Sequence, residues 1–299
     1  MKILVTGASG LVGAAVLRHA DARGHTVVGT SRSPISGYFP SAQCSWIPTD
    51  LSDPDALSAL LEQANPELVI NCAAVSEAAI VESQPQKADR VNSRFPAQLA
   101  SASRGARYRW IHLSTDMVFD GSSPEAYGPD SPPSPYGVYG SQKREGEKKA
   151  LECAPDSGAV VRITIVNGNS PKRNRSIHEK LIRAVRAGKR PSLYTDEFRQ
   201  PVSASSVARA CLRLGEKMDF QGVYHWAGAD ILSRYDLGCR ILQHFGLPPD
   251  RIVPARRPEE SPPRPAHLRF DVSRLQKEIG LDPEAFEDQL PGLVDPGND

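Results

Sequence analysis

Ile3-Leu4-Val5-Thr6-Gly7-Ala8-Ser9-Gly10-Leu11-Val12-Gly13 follows directly on Met1 and Lys2, and its reading decides the fold. Ile3, Leu4 and Val5 form the short apolar run of a buried parallel strand. Gly7, Gly10 and Gly13 then recur every third residue, and Leu11, Ala14, Ala15 and Arg18 continue at helical spacing. A strand that feeds a helix through glycines is a nucleotide-binding turn. Absent side chains let the main chain approach a pyrophosphate, and the helix N-terminus offers it N–H groups and a positive dipole end. Gly7, Ser9, Gly10, Leu11, Val12 and Gly13 are therefore the first cofactor-binding candidates. The spacing is G-x-x-G-x-x-G, and its position between strand and helix gives it weight.

The 299 residues suffice for one large α/β domain, or one domain with a smaller lobe. A formal net charge of +1 leaves no basic excess to hold nucleic acid or an anionic membrane surface. No apolar run reaches the length of a membrane span, and no charged-then-apolar leader precedes the first strand. Cys44, Cys72, Cys153, Cys211 and Cys239 are scattered, without a C-x-x-C pair, and the seven histidines show no H-x-x-x-H spacing. Neither a disulfide framework nor a metal site is expected, and the expected address is the cytoplasm, with reduced thiols.

Further along, Thr26–Thr30 reads as the second strand. Enzymes that select NAD place an acidic residue at its end; here Ser31 and Arg32 stand there. A guanidinium and a hydroxyl suit a 2′-phosphate, so NADP(H) is the expected cofactor. Ser45–Pro48 is the third strand, and Asp50, next to Leu51, is placed to accept from an adenine amino group. Asp53-Pro54 is expected to open the next helix. Glu67–Asn71 is a strand that ends in Cys72, Ala73 and Ala74, small enough for a second ribose and phosphate to come close. A helix over about Gln86–Arg104 carries Asn92, which needs a partner or serves the site. Trp110–Leu113 leads to Ser114-Thr115-Asp116-Met117-Val118-Phe119-Asp120-Gly121, and a helix from Tyr139 places Tyr139 and Lys143 on one face.

A tyrosine, a lysine and a threonine beside a nicotinamide make a carbonyl-reduction site. Tyr139 would give a proton to the carbonyl oxygen and Thr115 would hold that oxygen. Lys143 would hold ribose hydroxyls and lower the phenol's pKa. Gly158–Ile163 is the sixth strand, after which the strand–helix alternation fades. Asn169–Arg175 reads as a flexible basic loop near the cleft. Helices are expected at about Ile177–Ala187, Ser205–Lys217, Tyr235–Phe245 and Val272–Ile279, with a late strand at Gly222–Trp226. Pro254–Pro265 reads as a surface excursion or mobile loop, and Pro296–Asp299 as frayed.

The chain resembles the extended short-chain dehydrogenase/reductases, and within them the dTDP-4-dehydrorhamnose reductase family. The resemblance rests on Thr6-Gly-Ala-Ser-Gly-Leu-Val-Gly13, Asn71-Cys-Ala-Ala74, Val91-Asn92, Ser114-Thr-Asp-Met-Val-Phe-Asp-Gly121, Tyr139-Gly-Ser-Gln-Lys143 and Gly146-Glu147. Arg264-Pro265 and Asp271-Val-Ser-Arg-Leu275 extend it to the C-terminal part. It implies a Rossmann-type doubly wound parallel sheet over residues 1–165. It also implies a small C-terminal substrate-binding lobe, mostly 166–299, with some segments returning to the core. The implied catalytic set is Thr115, Tyr139 and Lys143; the implied substrate is a nucleotide sugar; and the implied assembly is a homodimer through the helices at 86–104 and 139–152. Ser76, Asp116, Val118, Phe119 and Arg199 are the substrate-side candidates, with Arg173 and Arg175 as further cations for a diphosphate. Val75-Ser-Glu-Ala-Ala-Ile-Val-Glu82 lacks the aromatic and Asp-Lys pair of the sugar reductases, which leaves the sugar unnamed. The resemblance extends to the regulatory subunit of methionine adenosyltransferase, which binds NADP and a protein partner. Nucleotide-sugar epimerases share the first domain but bind NAD, against which Ser31-Arg32 speaks.

Overall fold

The computed structural model describes residues 1–33, 41, 43–106, 108–217, 219–259 and 264–297. Seven parallel strands form the central sheet: β1 (Lys2–Thr6), β2 (Thr26–Ser31), β3 (Cys44–Pro48), β4 (Leu68–Asn71), β5 (Arg109–Thr115), β6 (Gly158–Ile163) and β7 (Gly222–Trp226). Their spatial order is β7-β6-β5-β4-β1-β2-β3. The order reverses between β1 and β4, and a crevice opens at the C-terminal ends of strands at such a switch point.

The pleat explains why these runs are apolar throughout. Alternate residues of each strand face opposite layers, and both layers are covered. Ile3, Val5, Val27, Leu68, Ile70, Ile111, Ala159 and Val161 face one core, beneath α1 (Leu11–Ala22) and α8 (Ala204–Gly215). Leu4, Val28, Val69, Trp110 and Val160 face the other, with α2 (Ala56–Ala64), α5 (Phe95–Ala102) and α6 (Gly137–Cys153) above them. Each such side chain withdrawn from water contributes roughly 1.5–3 kcal/mol before entropy is counted. A third core joins α7 (Ile177–Arg186) to α9 (Arg234–His244) through Leu181, Ile182, Leu237 and Ile241. Short strand pairs surround it: Ser192–Tyr194 with Val253–Ala255, and Phe198–Arg199 between Leu232–Ser233 and His267–Leu268.

Several expectations are corrected. The helix expected to open at Asp53-Pro54 begins at Ala56; the Asp53 carboxylate instead accepts from the Asp55 N–H. The single helix expected over 86–104 is α4 (Pro85–Asp89), a π-helical turn over Arg90–Arg94, and α5, preceded by a separate α3 (Ala78–Ser83). The loop at 169–175, expected to be flexible, is organised by the buried Glu179 carboxylate. That carboxylate accepts from the main-chain N–H groups of Ser170, Arg175 and Ser176 and from the Ser170 hydroxyl. Within the 254–265 excursion, Val253–Ala255 is a strand and Arg257 reaches Asp196; residues 260–263, like Asn298 and Asp299, lie outside the described residues. Among the described residues no helix is long and apolar enough to cross a membrane, and the five cysteines are unbridged.

Candidate active site

Gly7 leaves β1 with φ of +63°, and a Cβ there would lie 2.7 Å from the Cα of Ala73, which follows β4. A Cβ on Gly13 would lie 2.3 Å from the Gly7 carbonyl oxygen. The turn is therefore closed against both the neighbouring strand end and its own helix, and only glycine fits. Gly7→Ala is expected to cost stability, because it adds an αL penalty of about 1–2 kcal/mol to the overlap, and to abolish dinucleotide binding. Thermal unfolding and fluorescence titration with NADPH check both.

A cleft of about 400 Å³ lies over these strand ends. Its walls include Gly7, Ser9, Gly10, Ser31, Arg32, Asp50, Leu51, Ala73, Ala74 and Ser76, the diphosphate candidate Arg175, and Glu77 and Lys87, which the sequence did not single out. Leu11, Val12 and Gly13 begin α1 and are not among the cleft walls. At the cleft edge Arg32 is exposed, whereas the Ser31 hydroxyl already donates to the Ser33 carbonyl (2.7 Å). The Asp50 carboxylate accepts from the Ser52 N–H (3.0 Å) and hydroxyl (2.7 Å), which hold it below the usual carboxylate range. Asn92 sits in the π turn, fully buried, and clamps the cleft wall. Its Oδ1 accepts from the Val75 N–H, and its amide hydrogens go to the Val75 carbonyl and Gln142 Oε1. Asn92 thus shapes the wall from behind, consistent with π turns marking functional sites.

The second half of the site forms where α6 begins. Thr115 ends β5 and caps a 3₁₀ turn over Asp116–Val118, its hydroxyl oxygen accepting from the Met117 N–H. A Cβ on Gly140 would lie 2.2 Å from the Met117 carbonyl oxygen, so this glycine lets α6 press onto that turn. Tyr139 and Lys143 descend the same face. Lys143 is buried; its Nζ donates to the Leu113 carbonyl (2.7 Å) and lies 3.0 Å from His112 Nε2. Burial lowers its pKa to about 7, opposed in part by Glu147 and Cys72. The lowered tyrosine pKa expected from Lys143 is not found. Burial, and then the Asp116 charge, push the Tyr139 phenol up, while Lys143 is engaged with strand β5.

Asp116 is itself buried, and burial raises its pKa against the pull of Arg199, whose Nε lies 3.7 Å from Oδ2. Arg199 is 5 % exposed and also meets Glu197 (3.1 Å), which Arg264 (2.5 Å) and Arg234 (3.8 Å) approach as well. It is thus an internal charge that steadies Asp116. Arg173 donates to the Asp295 carbonyl, and Arg175 pairs with Glu77 across the cleft mouth. Val118 and Phe119, expected to touch substrate, are wholly buried. Phe119 stacks on Tyr127 with 4.1 Å between ring centres and meets Phe270 edge-on, since the 3₁₀ turn sends both side chains inward. The sequence reading quoted but gave no role to Glu147, which receives both arms of the Arg162 guanidinium (2.9 Å each), or to Asn71 and His112, which lie behind Lys143. His112 and Asn71 stand in quoted strands, but nothing in an apolar run marks which polar residue points at a lysine.

Known proteins agree with this architecture over its full length. The model of the RmlD substrate binding domain matches residues 1–298. Methionine adenosyltransferase 2 subunit beta of Xenopus laevis is 33% identical over 282 residues, 92% of this chain and 82% of that protein. The probable low-salt glycan biosynthesis reductase Agl14 of Haloferax volcanii is 31% identical over 297 residues, 98% of this chain and 97% of that protein. Among solved structures, a hypothetical dTDP-4-dehydrorhamnose reductase from Sulfolobus tokodaii superposes with a TM-score of 0.82 at 27% identity, over 98% of this chain and 100% of that one. The dTDP-4-dehydrorhamnose reductase of Bacillus anthracis, solved with NADP, gives 0.81 at 20% identity over 97% and 96%, a likeness of fold. With the glycine turn, the strand order and the Thr115-Tyr139-Lys143 junction, these matches make the chain a member of the RmlD, or dTDP-4-dehydrorhamnose reductase, family.

Proposed function

We propose that the protein is an NADPH-dependent reductase of a keto group on a nucleotide-activated deoxysugar, acting in the cytoplasm. The observation that carries this reading is the junction of β5 with α6: Gly140 lets the helix press onto the turn that follows Thr115, and Lys143, four residues after Tyr139, bonds the Leu113 carbonyl of β5. The residues fit the cofactor: the Gly7 turn leaves room for a pyrophosphate, and Arg32 supplies a cation at the edge of the cleft. NADPH, when bound, supplies a hydride to the carbonyl carbon. Tyr139 then breaks its O–H bond and gives the proton to the carbonyl oxygen. Its raised pKa keeps it a phenol at neutral pH, the form that donates. Thr115 holds the oxygen for that transfer, and Lys143, when charged, binds ribose hydroxyls and balances the phenolate left on Tyr139. The lobe built mostly on residues 166–299, apart from α8 and β7 in the core, covers the sugar nucleotide.

Arg32→Ala is expected to weaken NADPH binding by about 10–100-fold, the worth of a charge-assisted phosphate contact, and to leave NADH unaffected. Titration with both cofactors checks this; equal losses for the two would contradict a 2′-phosphate contact. The reaction itself is tested by following NADPH oxidation optically with dTDP-4-keto-6-deoxy sugars and other nucleotide keto-sugars. Turnover supports the reductase. The likeness to methionine adenosyltransferase 2 subunit beta favours a second reading, a non-catalytic NADP-binding regulator. Tight NADPH binding without turnover on any keto-sugar would select it.

A further inference from the structure

A contact at Lys143 is one that its charged form cannot make. The chain of hydrogen bonds behind it starts at the main chain. The Ala73 N–H donates to Asn71 Oδ1 (3.2 Å), which also accepts from the Thr6 hydroxyl (2.6 Å). A main-chain N–H is always a donor, so the Asn71 amide can face only one way. Its Nδ2 then donates to His112 Nδ1 at 2.9 Å. That nitrogen carries the lone pair, and the proton of the neutral ring sits on Nε2. Nε2 lies 3.0 Å from Lys143 Nζ, whose own N–H is directed to the Leu113 carbonyl. An ammonium would set donor against donor across this contact, whereas an amine accepts from Nε2–H.

We propose that Asn71 and His112 hold Lys143 as a neutral amine in the cofactor-free protein, and that Lys143 leaves His112 in order to take up its charge. Asn71, His112 and Lys143 are all 1 % exposed or less, so no solvent reorients them. The surrounding charges agree. Glu147, one turn further along α6, and Cys72, beyond β4, favour the ammonium, yet burial outweighs both. Glu147 spends its carboxylate on Arg162, and burial beside Cys211 keeps the Cys72 thiol neutral. Tyr139, a turn earlier, is neutral beside Asp116. Burial also holds the His112 ring in its uncharged form. Asn71 and His112 are thus positioning residues. Because the Ala73 N–H that fixes Asn71 lies in the cofactor cleft wall, that wall and the lysine are joined by one line of hydrogen bonds. For turnover, which rests on the reductase reading, charging of Lys143 is coupled to its withdrawal from His112.

The test uses the full chain without cofactor, so it stands whether or not the reductase reading does. Side-chain ¹⁵N NMR of the seven histidines assigns His112 by its loss in His112→Gln. The expected pattern is a pyridine-type Nδ1 and a protonated Nε2, unchanged across neutral pH. A protonated Nδ1, or an imidazolium, would overturn the proposal. The ¹³Cε resonance of Lys143, assigned by its loss in Lys143→Met, gives the lysine titration. His112→Gln offers a carbonyl oxygen that an ammonium can use, and is expected to raise the Lys143 midpoint by about one pH unit. A midpoint that stays in place or falls would overturn the coupling, and the parent's tautomer decides the matter if that variant does not fold.

Discussion

Replacing Tyr139 with Phe is expected to lower NADPH turnover on a keto-sugar by about 10²–10⁴-fold, the usual contribution of a positioned general acid, with NADPH binding kept. The change removes one oxygen and keeps the ring on α6, so the cleft of Gly7, Arg32 and Ala73 is untouched. The magnitude follows from the surroundings. The phenol sits where burial and Asp116 oppose its ionisation, so it keeps its proton for transfer at neutral pH. Burial lowers the Lys143 pKa to about 7, and its Nζ is turned toward the Leu113 carbonyl of β5. Single-turnover rates and fluorescence titration, run on parent and variant together, separate chemistry from binding. A variant that keeps the parental rate would remove Tyr139 from the chemistry.

Arg162→Met is expected to destabilise the protein by about 3–5 kcal/mol, a large part of the roughly 5–15 kcal/mol that holds a domain folded. Arg162, on β6, is buried with Glu147, on α6; its Nε and Nη2 donate to the two carboxylate oxygens, and its guanidinium lies 5.2 Å from the centre of the Phe119 ring. Met fills much of the space but leaves the carboxylate in an apolar setting. Only the more exposed Arg144 remains, at 3.3 Å. The double variant Arg162→Met, Glu147→Met removes both charges and is expected to regain most of the loss, because the cost lies in the unpaired carboxylate. Urea unfolding of the single and double variants gives the comparison. Equal losses in the two would mean that packing, not charge, sets the effect. The pair matters to the site because it ties α6, and with it Tyr139 and Lys143, to the sheet.

The parts of this molecule that the sequence displays are those governed by local rules. The apolar runs of β1, β4, β5 and β6 are continuous because both faces of a parallel sheet are covered, and glycines at 7, 10 and 13 mark a turn that no other residue fits. Tyr139 and Lys143 are legible because four residues make one helical turn. What stayed hidden depends on partners distant in the chain. Glu147 meets Arg162, and Arg199 meets Asp116, across separations that no periodicity encodes. Val118 and Phe119 follow Asp116 so closely that they read as part of the site, yet a single 3₁₀ turn redirects them into the core. The π turn at Arg90–Arg94 also leaves no trace in composition; what fixes it is the set of bonds from Asn92 to Val75 and Gln142.

The place of β7 in the chain has a consequence for synthesis. When Ile163 has left the ribosome, six strands of the sheet exist, but the edge of β6 is open and the apolar side of α1 has no α8 to cover it. The helix α8 can cover α1 once Gly215 has emerged, but the edge of β6 closes only when Trp226 emerges, 63 residues after Ile163. At about 5–20 residues per second this interval lasts roughly 3–13 s. The nascent chain spends those seconds with a nucleotide turn already encoded and a sheet that a neighbouring chain could extend. A cut after residue 165 would make that exposure permanent, so the cofactor-binding half cannot be separated from the rest as an independent unit.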